Sequence, residues 1–522
     1  MTLGALDCLP REIFDLVLGY LASRKHGPEP PDAYFRAHGD SQESDQPSWY
    51  SLKLQTLASL CLVCRHLCRA VQPILYQEFM LGYGDSWRSD LYTWHGRLSS
   101  FMRTVAYRRD LAALVKRIYI HPYLLEIFGE EKEVLVFDWK RHKKNWKFIR
   151  RHPRGYIGED EARSTLQELT QALGIERLQQ LSAGDLVTVL ITELPNLEQC
   201  SIQLGPYNDE IVRSSALQAA DISHLPLRTI DICLRATVTE AHCKGLFNLR
   251  WCAEPLLSVS TNLETLNLHM CNGISPKAPF PSLPNLKTLR LTYSRLGEWD
   301  LEGLLSSCTG LRNFFYEATS GLWPQDRYGP ASYDCSDHFQ LANAVKYLSR
   351  HTMLETIHMD LRWRGHSPYR PQPRAVFSFR HFPALKHLFL NLDEFHSQFW
   401  AGDPEQDSEL LVQLLPQSIG SFHLAGHITD DLYRLEKSLL GLVHAVSRGQ
   451  FPGLEEVRWD QNEELSSECE CRVRKVFTEA GVSFHYDSWP TTSTTFGDGG
   501  GLPAPNYKNP FPLPREEDYE DL

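Results

Sequence analysis

The sequence predicts an α/β chain in which a short helical unit precedes an irregular stack of strands and helices built on one parallel sheet. Three observations predict it. Apolar residues at three- and four-residue steps open the chain, a short leucine-bearing phrase then returns nine times, and helical runs fill the intervals between its copies.

Composition narrows the class. With 42% hydrophobic and 23% charged residues over 522 positions, the chain has the balance of a globular protein and enough apolar surface for a large core. The formal net charge of −12 makes a general nucleic-acid binder a poor fit, because phosphate contacts need a positive field. No apolar run of about 18 residues predicts a membrane span. The opening residues carry Asp7, Glu12 and Asp15 rather than a basic start, which argues against a signal peptide. A cytoplasmic or nuclear compartment is expected. The 13 scattered cysteines fit it and read as small hydrophobes. Neither the Cys61, Cys64, Cys68 group nor the Cys469, Cys471 pair has a second pair in register for zinc, so no metal and no cofactor is expected.

The helical unit is expected over residues 1–80. Pro10 suits the first turn of a helix, and Ile13, Phe14, Val17, Leu18 and Leu21 then recur at helical spacing. A Pro-, Gly- and acid-rich stretch over 24–50 reads as an internal disordered loop. Helical spacing resumes at Leu54, Leu57, Cys61, Cys64 and Cys68, with Leu60, Val63 and Leu67 as a second stripe on the same helix. A short third helix, PILYQEF, is expected from Pro73.

These two blocks, LPREIFDLVLGYL and LASLCLVCRHLCRAVQPILYQEF, resemble the F-box, with a long internal loop where that motif usually has a short connector. The resemblance implies a three-helix unit that docks a Skp-family adaptor and, through it, a cullin. It would place Leu9, Pro10, Ile13, Val17, Leu18, Val63, Cys64, Arg65 and Leu75 at the adaptor interface. Three short helices cannot enclose that many aliphatic side chains, which leaves surface for a partner.

Residues 81–488 carry the repeated phrase, interrupted by a basic insertion over 130–160. It reads PNLEQCSIQL, LRTIDICL, TNLETLNLHMC, PNLKTLRLTYS, GLRNFFYE, MLETIHMDL, ALKHLFLNLD, SIGSFHLAG and GLEEVRWD, with an earlier copy at Val115, Ile118 and Ile120. Each has an apolar residue, a second three later and a third two beyond. The last two share one face of a strand while the intervening side chains point the other way. This is the strand segment of a leucine-rich repeat, and Cys271 takes its turn-supporting slot. Starts at 197, 227, 263, 286, 311, 354, 385, 419 and 454 are unevenly spaced, so the repeat is degenerate. The expected architecture is an irregular leucine-rich-repeat-like solenoid with its parallel sheet on the concave face. Arg290, Tyr293, Arg312, Phe315, His358, Trp363 and Phe389, at or near outward positions, are candidates for holding a protein substrate.

The segment Trp139–Arg154 carries eight Lys or Arg and no acid, and reads as a solvated helix or loop or as a stretch for binding a nucleic acid, a phosphorylated substrate or an import receptor. Residues 489–522 form a disordered tail that ends in acids. GDSW at Gly84 faintly echoes one esterase family, but no partner motif accompanies it, and no nucleophile elbow, phosphate loop or zinc-protease motif occurs. F-box and degenerate repeats together resemble the substrate receptors of Skp–cullin–F-box ubiquitin ligases, which are not enzymes themselves. The alternatives are an F-box scaffold without ubiquitination and, more remotely, a hydrolase using Ser86.

Overall fold

The computed structural model describes Leu16, Leu18, Gln167, Gln171 and residues 49–80, 99–120, 133–137, 146–150, 183–204, 211–212, 214–234, 247–271, 273, 279–318, 339–361, 376–391, 404–426, 432–461 and 465–487. The architecture is mixed α/β with parallel strands, in two compact units.

The first unit opens with helices α1 (Trp49–Val63) and α2 (Arg65–Leu75), which close on a core of Leu18, Leu57 and Val71. The sequence suggested one helix through Cys68. Instead the chain breaks at Cys64, whose extended backbone and sulfur cap α2, with the Leu67 N–H donating to Sγ at 3.5 Å. The third helix expected from Pro73 does not form among the described residues. Pro73 lies within α2, and Glu78–Met80 is strand β1. The phrase PILYQEF therefore ends one helix and starts the sheet. Helices α3 (Ser99–Tyr107) and α4 (Arg109–Ala112) lead to strand β2 (Arg117–Ile120), parallel to β1. Strands β3 (Glu133–Phe137) and β4 (Trp146–Arg150) pair antiparallel within the basic insertion. Helix α5 (Ala183–Thr192), strand β5 (Gln199–Leu204), helix α6 (Ser214–Ala219) and strand β6 (Thr229–Leu234) follow, with β5 parallel to both β2 and β6.

After helix α7 (Leu249–Val259), the second unit runs β7 (Thr265–His269), β8 (Thr288–Ser294), α8 (Glu298–Ser306), β9 (Asn313–Ala318), α9 (Leu341–Leu348), β10 (Thr356–Asp360) and β11 (His387–Asn391). A 3-10 turn (Pro404–Glu409) then leads into α10 (Leu410–Leu414), β12 (Ser421–Gly426), α11 (Leu432–Ser447), β13 (Glu456–Gln461), α12 (Ser467–Glu479) and β14 (Ser483–Asp487). Every strand from β7 to β14 is parallel to its neighbour.

The leucine phrase explains this order. Its first apolar residue closes a turn before the strand: Leu286 N–H donates to Leu283 O at 3.2 Å, Leu354 to His351 at 3.1 Å and Leu454 to Phe451 at 3.2 Å. The carbonyl of the following residue accepts two N–H groups from the next strand's entry. Lys287 O takes Arg312 and Asn313 at 2.8 and 2.9 Å, Arg312 O takes Glu355 and Thr356 at 2.7 and 3.0 Å, and Glu355 O takes Lys386 and His387 at 2.8 and 3.0 Å. The first unit repeats the arrangement at Gln77, Lys116 and Glu198. The later apolar positions form buried columns across the strands: Leu266, Leu289, Phe314, Ile357, Leu388, Phe422, Val457 and Phe484 in one, Leu268, Leu291, Tyr316, Met359, Leu390, Leu424 and Trp459 in the next. Cys271 is fully buried and receives the Gly273 and Leu249 amides. Burial pushes its thiol up to about 12.

Between the strands, α11 fits closely against the 3-10 turn. A methyl group at Gly441 would overlap the Ser408 carbonyl, so only glycine permits the approach. Arg434 of α11 makes a bidentate pair with Asp407, both bonds 2.8 Å, with side-chain exposures of 8% and 3%. Ser438 Oγ donates to the Asp407 carbonyl at 2.6 Å. Asp407→Ala strands a buried guanidinium, and chemical denaturation should show a loss of about 3–5 kcal/mol.

In the first unit Glu193 is buried beside Arg109. Burial outweighs the guanidinium and lifts its carboxyl from 4.5 to about 7. A raised acid stabilises the fold fully below the unfolded value and loses that contribution as pH rises through the folded one. Between pH 5 and 7.5, Glu193→Gln should lose about 2 kcal/mol less stability than the wild type in matched urea melts.

Candidate functional site

Two surfaces gather the residues that the sequence singled out. The first lies on the opening helices. Leu9, Pro10, Ile13 and Val17 fall outside the described residues. Leu18 is helical and only 4% exposed, packed with Leu57 and Val71. Leu75 leans on the same cluster, and half-buried Cys64 is occupied as the α2 cap. Arg65 is exposed, and so is Val63 at 43%. Two residues that the sequence did not single out for a partner are more open still, Leu62 at 88% and Leu16 at 72%. A filled core thus sits beside aliphatic side chains left in solvent, and such exposure of large apolar groups marks a contact surface when they cluster.

The second surface is the row opposite the leucine columns. Strand register aligns Asn267, Arg290, Phe315, His358, Phe389, His423, Arg458 and His485 on eight neighbouring strands. Its members touch along much of their length. Arg290 lies over the Phe315 ring at 4.5 Å, and Phe315 and His358 are 6.0 Å apart. His358 stacks on Phe389 at 4.1 Å with 15° between ring planes, and Phe389 meets His423 edge-on at 4.6 Å. Glu317 Oε1 lies 3.8 Å from His358 Nε2.

Burial divides this row. Arg290, Phe315 and Arg458 are half-buried and His485 is exposed, whereas His358, Phe389 and His423 are 1–2% exposed. His358, Phe389 and His423 are therefore interior, as is Asn267 at 6%, and the accessible members are Arg290 and Phe315 on one side of the buried rings and Arg458 and His485 on the other. Arg312 sits one position before its strand, exposed, with Glu355 3.6 Å away. Lys386 approaches the same carboxylate at 3.4 Å, and Lys287 meets Glu264 at 2.7 Å, giving a belt of solvent-exposed pairs along the strand entries. The side chain of Tyr293 and all of Trp363 fall outside the described residues. Asn267, His423 and His485 were not singled out for this surface. The signal for the first two is the residue between the last two apolar positions of each phrase, which reads off nearly the whole row.

No arrangement of His, Cys, Asp and Glu suited to a metal ion occurs among the described residues, and no described helix is long and apolar enough to cross a membrane. Burial holds the thiols of Cys308 and Cys469 up at about 12, which makes them packing groups rather than nucleophiles. No protein-family model matches the chain, and no curated protein matches it at a significant level.

The contrast between the buried row and the exposed strand entries is measurable. Phe389→Ala should cost roughly 3–5 kcal/mol in a denaturant melt, as removal of a buried aromatic ring does. Arg312→Ala should stay within about 0.5 kcal/mol of wild type.

Proposed function

We propose that this chain is the substrate-recognition subunit of a Skp–cullin–F-box ubiquitin ligase and carries out no chemistry of its own. One observation carries the reading. Leu16, Leu62 and Val63 remain open to solvent on helices whose inner faces are already filled by Leu18, Leu57, Leu67 and Val71. An aliphatic surface that the fold does not need for itself is suited to burial against a second polypeptide. The F-box-like run LVCRHLCRAVQPILY lies across those helices. Leu9, Pro10, Ile13, Val17, Cys64, Arg65 and Leu75 would extend the same interface to the Skp-type adaptor and, through it, a cullin.

The sheet supports the other half of the reading. Turn, carbonyl pair, strand and connecting segment recur as they would in a leucine-rich-repeat scaffold, and such scaffolds hold ligands on the outward strand positions. Arg290, Phe315, Arg312 and Arg458 are accessible residues of types favoured at protein contacts. Catalysis would belong to other subunits. This chain's contribution would be to raise the local concentration of a bound target near the ubiquitin donor.

A double change, Leu62→Asp with Val63→Asp, tests the docking half. Both side chains are exposed, so the melting temperature should hold while capture of a purified Skp-type adaptor falls at least about tenfold. Equal capture by wild type and variant, or none by either, would overturn the assignment.

A further inference from the structure

We propose that Cys61 and Cys68 form a site of reversible disulfide modification, closed by a disulfide-type oxidant such as oxidised glutathione. The break between α1 and α2 brings them together. Cys64 is the pivot, an extended residue between two helices that pack on each other. Leu57, seven residues before the pivot, and Val71, seven after it, share one core cluster. Cys61, three before, and Cys68, four after, are the next pair toward the corner on the same inner sides. Cys61 packs against that cluster, and its thiol hydrogen-bonds Cys68. Both thiols are free and only partly buried, so a small oxidant can reach them. Cys64 stands apart, because its sulfur accepts the Leu67 N–H in the cap.

The chemistry balances in two exchanges. The Cys68 thiolate attacks one sulfur of oxidised glutathione, forming a mixed disulfide and releasing one glutathione thiolate. Cys61, after giving its proton to water, attacks the Cys68 sulfur and expels the second glutathione. The protein loses two protons and two electrons, and one oxidised glutathione becomes two reduced ones. Burial, with the Cys68 charge and its hydrogen bond as smaller causes, raises the Cys61 thiol to about 11. Its thiolate is scarce at neutral pH, and the closing step is the slow one.

The test uses the full chain, incubated with oxidised glutathione, blocked with an alkylating agent and digested with trypsin. The bond should join the fragments Leu54–Arg65 and His66–Arg69. It should persist in Cys64→Ser, vanish in Cys68→Ser and Cys61→Ser, and reverse with dithiothreitol. Release of the second glutathione should speed up about tenfold per pH unit between 7 and 9. A joined pair that needs Cys64, or glutathione retained on Cys68 without closure at pH 9, would refute the proposal. The mapping does not depend on adaptor docking. The closed segment contains Leu62 and Val63, so adaptor capture by the oxidised and reduced forms is a separate readout. A bond that forms in a chain unable to bind adaptor removes only the docking reading.

Discussion

The sheet depends on one small device, a main-chain carbonyl just past each leading apolar residue that receives two N–H groups from the next strand. Lys287, Arg312, Glu355 and Lys386 each supply one, and Gln77, Lys116 and Glu198 supply the same in the first unit. Two bonds on one acceptor fix where the next strand starts, and the start fixes register. Register matters because side chains alternate, so a slip of one residue would exchange Leu289 and Leu291 for Arg290 on the buried side. The device involves only backbone atoms of neighbouring strands. Connections of very different length can therefore join strands in the same register, which is how intervals from 23 to 43 residues fit one sheet.

This explains what the sequence made legible. Strands β2 and β5 through β13 announce themselves because the leading apolar residue and the two strand positions are all present. Strands β1 and β14 do not, because by register Tyr76 and Gly481 occupy the leading position. Gly481 is there for another reason: it ends α12 in a left-handed conformation, φ 77°, and no leucine would rest there comfortably. A separate third helix does not start at Pro73 because α2 tolerates the proline within its span. Two stripes on one apparent helix were in fact two helices around Cys64, and spacing alone cannot tell a long helix with a broad apolar face from a corner.

The candidate surfaces were legible in position and not in depth. The residue between the last two apolar positions places Arg290, Phe315, His358, Phe389 and His423 in one row. Whether a member faces water depends on what lies over the strand, and a strand's own pattern carries no information about its cover. On the helices, the resemblance selected Leu18 and Val63 together, yet one fills the core and the other is open. Charge behaves in the same way. The belt of Glu264, Lys287, Arg312, Glu355 and Lys386 is exposed, where such pairs add little, while Asp407 and Arg434, unremarkable in sequence, are enclosed and bidentate.

Burial on both sides of β10 and β12 has a consequence for motion. Every described side chain of those strands is shielded, whereas β14, at the end of the array, leaves Ser483 and His485 in solvent. Local unfolding costs least where few apolar contacts must be broken. Within the second unit the backbone should therefore fray from its last strand inward, with the paired imidazole and phenyl rings of the interior strands the slowest part to open.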